Sequence, residues 1–332
     1  MGFRFTASKL LRRFGFDDQF PILGRLDRMQ EQLDKLQQGL LANPLIIQRL
    51  ERMQLQLNVL ERMSHGGRAA YLGNDRILTK CVIAEAVIGY LIEADGILLS
   101  PWFILTGEHE TDITNFFLKN LRPDSRCLDV GANFGFFTCL MARFCHQGKV
   151  MGIEPNHHVD KLLRDNIYIN GLQEWTTSKH AAISDSAGTV ELYRRVKRSR
   201  NTSISNVSEA FLAELGEPRS EPFHVMCLRI DDLLPGFANE IDFIKIDVEG
   251  AEPLAMRGAR QTISANPQLN IIMEWSPGQI QAAGFNVAEF VDDLGFMGLR
   301  PAEIGPSGVE EMPLEGLINL GYRAGILLRS SK

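Results

Sequence analysis

A chain of 332 residues, 45% hydrophobic and 23% charged, is long enough for one large α/β domain with an appendage of some tens of residues. Its formal charge of −6 argues against a generic phosphate or nucleic-acid binder, which normally carries a basic excess. The five cysteines form no C-x-x-C pair and sit mostly in apolar runs, as in a reducing compartment; no run of about 18 apolar residues or signal-peptide core is present, so a cytoplasmic or membrane-peripheral protein is expected.

Residues 1–20 mix Arg4, Lys9, Arg12 and Arg13 with Phe3, Phe5, Leu10, Leu11, Phe14 and Phe16. They form either a basic amphipathic helix in weak contact with an anionic membrane or a frayed terminus. From Leu26 the apolar residues step three and four apart through Met29, Leu33, Leu36 and Leu40, the a/d rhythm of a coiled coil. Pro44 ends that helix, and Leu50, Met53, Leu57 and Leu60 resume it out of phase. The helices of residues 24–64 either pair in a homo-oligomer or with a partner protein, or fold back as a hairpin on their own domain. His65 to Gly67 mark the boundary between this helical, coiled-coil-like region, 1–66, and a main domain, 67–332.

The Ile, Val and Leu content of Arg76 to Ile92 predicts a small β lead-in within 76–100, with a turn at Glu93 to Gly96. A helix follows over Thr111 to Leu121. The stretch from Cys127 to Leu140, CLDVGANFGFFTCL, then reads as a buried strand, a glycine-rich turn and the start of a helix. Gly131 and Gly135 bracket Asn133, and glycines there allow a ligand close to the backbone. The unpaired N–H groups of residues 131–136 favour a polar or anionic ligand group. Because the second glycine of G-x-G-x-x-G is missing, a nicotinamide cofactor is disfavoured. About 20 residues on, KVMGIEPN places Glu154 at the end of the next strand, where a carboxylate accepts both hydroxyls of a ribose.

A helix over 159–169, stopped at Asn170-Gly171, and a strand over 175–183 continue the alternation of a doubly wound sheet. His157, His158 and His180 are read as structural. Residues 194–206, RRVKRSRNTSISN, carry five cations and almost no apolar pattern, and predict an exposed loop. The fourth sheet strand, Ile241 to Asp247, ends in Asp247-Val248-Glu249-Gly250, at the sheet edge where open α/β folds place ligands. Asp247 and Glu249 point the same way while the chain stays extended. After a helix from Glu252 to Ile263, the strand from Leu269 to Glu274 brings Glu274 to the same edge. Gly316 to Leu320 and Arg323 to Leu328 supply a closing antiparallel hairpin.

Strand, glycine turn, helix, strand and acid together resemble the S-adenosylmethionine site of class I methyltransferases. More narrowly, DVGANFGFFT, EPN, AISD and IDFIKIDVEGAE resemble the FkbM family of methyltransferases, over roughly residues 78–330. The resemblance implies an α/β class I methyltransferase fold, a doubly wound sheet with an antiparallel C-terminal strand. It implies S-adenosylmethionine as cofactor, contacted by Asp129, Gly131, Ala132, Asn133, Gly135, Phe136, Thr138, Glu154, Pro155, Asn156, Ile183 and Asp185, with Asp185 beside the adenine or simply building a turn. Gly107-Glu108 fills the place of the family's G-x-x-E-like segment, so Glu108 either accepts from the cofactor's ammonium or only supports the next helix.

The family further suggests a hydroxyl acceptor: a glycan, a lipid-linked sugar or a biosynthetic small molecule. The basic segment would then either be a solvated charge run or border its entry, through Arg195, Lys197, Arg198, Asn201 and Ser203, and favour an anionic acceptor such as a uronate or a phosphate-linked glycan. No nucleic acid is expected, since no aromatic residues interleave for stacking. Methyl transfer needs alignment and removal of the hydroxyl proton. Asp247, Glu249 and Glu274 are the candidates, one acting as general base, or Asp247 and Glu249 holding a divalent cation. The alternative is a non-catalytic interaction protein in which the N-terminal helices act and the Rossmann-like body is scaffold.

Overall fold

The computed structural model describes residues 69–73, 75–93, 103, 104, 106–195, 198–203 and 220–330, all within one compact unit, Gly66–Lys332. The amphipathic segment of residues 1–20 and the helices of 24–64 lie outside the described residues. No helix among the described residues is long and apolar enough to cross a membrane.

Strands β1 (Ala70–Gly73), β2 (Arg76–Ile83) and β3 (Ala86–Glu93) form an antiparallel three-stranded sheet, the expected lead-in. Its β2–β3 turn is Ala84-Glu85, with φ of 46° and 68°. A two-residue hairpin of the type I′ kind needs two left-handed residues, and here neither is the Gly or Asn that would announce it in sequence. Most of the turn expected at 93–96 falls outside the described residues.

The main body follows as α1 (Thr111–Asn120), β4 (Arg126–Val130), α2 (Phe136–Phe144), β5 (Lys149–Ile153), α3 (His157–Ile169) and β6 (Thr176–Lys179). A side sheet comes next, with β7 (Ala182–Ile183), β8 (Gly188–Arg195), β9 (Arg198–Ser203) and β10 (Glu221–Leu228). The chain then returns to the body with β11 (Phe243–Ile246), α4 (Glu252–Arg257), α5 (Arg260–Ala265), β12 (Asn270–Trp275), α6 (Pro277–Ala282) and α7 (Val287–Phe296). It closes with β13 (Leu299–Gly305), β14 (Gly308–Glu311), α8 (Gly316–Asn319) and β15 (Arg323–Ser330).

The eight-stranded sheet has the order β14-β13-β15-β12-β11-β4-β5-β6. From β6 to β12 every neighbouring pair is parallel, whereas β15 runs antiparallel to both β12 and β13. This is a mixed sheet with apolar cores on both faces: Phe117, Phe137 and Leu140 belong to one, Ile244, Trp275 and Phe290 to the other. Burial on both faces explains why β4 and β11 read as nearly continuous apolar runs rather than as alternating strands.

Four expectations need correction. The strand foreseen over 175–183 is two strands, since β7 leaves the main sheet and pairs in parallel with β10. The loop foreseen over 194–206 is largely strand, because β8 runs to Arg195 and pairs with β9. Backbone pairing needs no apolar pattern, and charged residues are common on an edge strand such as β9. The helix foreseen from Glu252 to Ile263 breaks into α4 and α5 around Gly258, where a Cβ would stand 2.2 Å from the Ser184 carbonyl oxygen. Finally, the apolar run at Gly316 is the short helix α8, and the antiparallel partners of β15 are β12 and β13. Short apolar runs of this kind carry no period that separates helix from strand.

Candidate active site

A cavity of about 510 Å³ opens beyond the carboxyl ends of β4, β5, β11 and β12, where the strand order predicts a ligand. Its floor is the turn after β4. Gly131, Asn133 and Gly135 have φ of 78°, 54° and 90°, so three left-handed residues redirect the chain into α2. The reason for glycine differs from the one expected. A Cβ on Gly131 would lie 1.7 Å from the backbone oxygen of Asp247, and one on Gly135 would meet Leu163 at 2.5 Å. Close approach is by the protein's own chain, and Gly131 locks the turn against the end of β11.

Glu154 is 6% exposed at the end of β5. Its Oε2 accepts the Asn133 N–H at 3.0 Å and its Oε1 accepts the Asn156 N–H at 2.8 Å. Burial pushes its carboxyl up to about 8, against the pull of those two donors. Asp129 is buried behind it and accepts the Thr138 hydroxyl at 2.6 Å. Thr138 therefore acts on Asp129 rather than on the cavity.

Of the expected cofactor residues, Asp129, Gly131, Ala132, Asn133, Phe136, Glu154, Pro155 and Ile183 line the cavity. Gly135 and Thr138 stand behind it, and Asn156 caps α3 by accepting the His158 N–H at 3.1 Å. Asp185 is exposed outside the lining, and its neighbour Ser184 takes the wall position. Glu108 is likewise outside, and Glu110 lines the cavity instead. Gly107 and Glu110 are both left-handed, with φ of 67° and 43°, and Glu110 sits at the N-cap of α1. Counted from Gly107, the G-x-x-E spacing falls on Glu110, a signal that was there to be read.

At the opposite wall Asp247, Glu249 and Glu274 come together as expected, joined by Tyr322 and Lys245. The chain from Asp247 to Glu249 is not extended, since Glu249 has φ 54° and Gly250 φ 103°. Glu252 ties this bend by accepting the N–H groups of Val248 and Gly250. Glu249 receives the Gln279 side-chain amide. Lys245 Nζ lies 2.9 Å from Asp247 Oδ2, 3.9 Å from Glu110 Oε2 and 4.8 Å from the centre of the Phe137 ring. Burial pushes Glu274 up to about 10, helped by the charges of Asp247 and Glu249, and its Oε2 has no hydrogen-bond partner.

Lys245, Glu110, Tyr322 and the apolar wall of Val190 and Leu192 were missed in the sequence. Arg195 lies on β8 and Arg198, Asn201 and Ser203 on β9, whereas Lys197 is outside the described residues. His157, His158 and His180 stand outside the lining, with His180 Nε2 2.9 Å from the Pro155 carbonyl oxygen. Among the described residues no group of three or more His, Cys, Asp or Glu is placed to hold a metal ion.

Several known proteins are similar to this chain. Methyltransferase sdnD of Sordaria araneosa is 24% identical over 200 residues, which cover 54% of this chain and 76% of that relative. The crystal structure of the FkbM methyltransferase of Methylobacillus flagellatus KT aligns with a TM-score of 0.40 and 16% identity, over 68% of this chain. The alignment spans about half, 52%, of that longer chain. An S-adenosylmethionine-dependent O-methyltransferase of Thermotoga maritima aligns with a TM-score of 0.36 and 12% identity, over 80% of this chain and 87% of that one. The family profile of the methyltransferase FkbM domain matches residues 129–297, just over half of the chain, from the Asp129 that opens the glycine turn to the end of α7. The chain thus belongs to the FkbM family of methyltransferases.

Proposed function

We propose that this chain transfers a methyl group from S-adenosylmethionine to a hydroxyl of an uncharged sugar or biosynthetic small molecule. One observation carries the reading: the buried Glu154 carboxyl, each oxygen already fixed by a backbone N–H, faces the cavity, where a pair of hydroxyl donors would draw it to its charged form. The two hydroxyls of a ribose match that pair. Ile183, Val190 and Leu192 offer an apolar wall for a base, and Glu110 offers a carboxylate to an amino group. When bound, the cofactor supplies a sulfonium methyl carbon open to in-line displacement.

The chain's own part is to hold the acceptor oxygen and take its proton. Glu274 keeps its proton at neutral pH and so serves as a donor that fixes the acceptor. Asp247, ion-paired with Lys245, faces the cavity and receives the hydroxyl proton. The carboxyl groups of Glu110, Asp129, Glu154, Asp247, Glu249 and Glu274 line the cavity with Lys245. Such a lining disfavours the anionic acceptor that the basic segment suggested.

Titration calorimetry with S-adenosylhomocysteine tests the donor half. The wild type should bind, and Glu154→Gln should bind more weakly by roughly 1–3 kcal/mol, the scale for hydrogen bonds to a charged group. Unchanged affinity in the variant would remove Glu154 from the site. Mass spectrometry of glycan and lipid extracts incubated with the enzyme and labelled cofactor tests the acceptor half; label on nitrogen or carbon rather than oxygen would refute it.

A further inference from the structure

Lys245 is the misfit of the central sheet. It is the third residue of β11, a strand buried at all four positions, and is itself 3% exposed. Its register neighbours are Ile272 on β12 and Asp129 on β4. A methionine would fill the same space without the several kcal/mol that burying an ammonium costs. The charge is compensated from two ends of the cavity: by Asp247 on one side and by Glu110, at the start of α1, on the other. The Phe137 ring beneath it and the buried Asp129 complete the surroundings.

We infer that Lys245 is a positioning residue that joins the two ends of the cavity: one buried ammonium is shared between Asp247, which takes the acceptor's proton, and Glu110, which meets the cofactor's amino group. The inference rests on the proposed function for the identity of the ligands. Its physical content is a competition of two carboxylates for one cation. A ligand ammonium on Glu110 weakens that residue's claim on Lys245 and leaves the lysine to Asp247, so that a filled donor end fixes the acceptor end.

The groups facing Glu110 are Lys245 and Asp247 from β11 and its end, Asp129 from β4, Tyr322 before β15, and His109, whose Nε2 is 3.5 Å from Oε1. Burial pushes the Glu110 carboxyl up to about 7; Lys245 pulls it down, while Asp247 and Asp129 push it further up. Burial alone would depress the Lys245 ammonium, but Asp247, Glu110 and Asp129 outweigh it and hold it above the ordinary lysine value. Without the lysine, Glu110 would keep its proton to higher pH and meet a cation poorly at neutrality.

The test is the affinity for S-adenosylhomocysteine from about pH 6 to about pH 9 in the wild type, Lys245→Met and Lys245→Arg. Lys245→Met should be about tenfold weaker near pH 6.5 for each unit by which Glu110 is displaced, with the gap closing toward pH 9. Lys245→Arg should restore the wild-type profile. A loss by the same factor at every pH would signify a merely structural lysine and overturn the inference. Should Lys245→Met fail to fold, Asp247→Asn serves instead. Removing that rival carboxylate should move the half-maximal affinity to lower pH, and an unmoved profile refutes the coupling. A wild type that binds no S-adenosylhomocysteine sinks the proposed function. The sharing itself is then decided by unfolding of the ligand-free Lys245→Met, Glu110→Gln and double variants, where additive losses overturn it and coupled losses support it.

Discussion

The two ends of the cavity are built on different principles. At the Glu154 end the polar atoms are already matched: both carboxylate oxygens sit on backbone N–H groups, and the turn that supplies one of them is locked by Gly131 against Asp247. At the Asp247 end they are not, since Glu274 Oε2 is buried without a hydrogen-bond partner, and Asp247 shares Lys245 with Glu110 of the cofactor end. Buried acceptors without donors are costly and uncommon in native proteins. The first end is preorganised by the backbone. The second is a set of side chains whose charges depend on one another and on what enters, the condition in which perturbed pKa values mark reacting groups.

The sharpest way to separate the ends is Asp247→Asn. Methyl transfer should fall by about 10²–10⁴, the usual range for losing a general base, while affinity for S-adenosylhomocysteine near pH 8 stays within a few-fold of the wild type. Steady-state rates on an identified acceptor and calorimetry on the same preparation check the pair of outcomes. Equal collapse of both would mean that the ends do not act separately. Gly131→Ala attacks the other end through its backbone. With φ at 78° and a Cβ 1.7 Å from a main-chain oxygen, alanine forces the turn and the end of β11 apart. We expect a loss of about 3 kcal/mol or more in denaturant unfolding, and a stability within 0.5 kcal/mol of the wild type, roughly the scale of a neutral surface change, would contradict the packing described here.

The same division governs what was legible in the sequence. Glu154, the glycine turn and Asp247 were found because each is positioned by a strand end, and strand ends follow from apolar runs and turns within a few residues. Lys245 was passed over because it sits inside such a run, IDFIKIDVEGAE, where one cation among apolar residues reads as a strand. Glu110 was passed over for Glu108 although the spacing from Gly107 favoured it. Tyr322, Val190 and Leu192 reach the cavity from segments remote in sequence, and only the sheet order brings them there. In the fold, the parallel core was readable from its buried strands. The departure of β7, the β8–β9 pairing and the break at Gly258 were not, because backbone pairing and a chain crossing leave no periodic mark.

The smallest effect, taken per pH unit, concerns the charge at the matched end. Folding raises the Glu154 carboxyl from about 4.5 to about 8, burial being the first cause and the N–H groups of Asn156 and Asn133 opposing it. Between those values the folded protein keeps a proton that the unfolded chain has released, so the unfolded state binds fewer protons and stability falls as pH rises. The contribution of Glu154 is fully present below about pH 4.5 and is lost progressively toward pH 8. Glu110 and Glu252, both pushed up to about 7 by burial, act in the same direction. The Glu154→Gln variant has no such titration, although its amide must turn one N–H group toward a backbone donor. Urea unfolding of the ligand-free proteins should therefore show the wild type losing stability with pH more steeply than Glu154→Gln between about pH 5 and pH 8, by at most about 1.4 kcal/mol per pH unit. Saturating S-adenosylhomocysteine should narrow that difference, because ribose hydroxyls stabilise the charged form and bring its folded pKa down toward the unfolded one. A wild-type slope equal to that of the variant would mean that Glu154 is already ionised in the empty cavity, and the account of burial raising its carboxyl at the matched end would then fail.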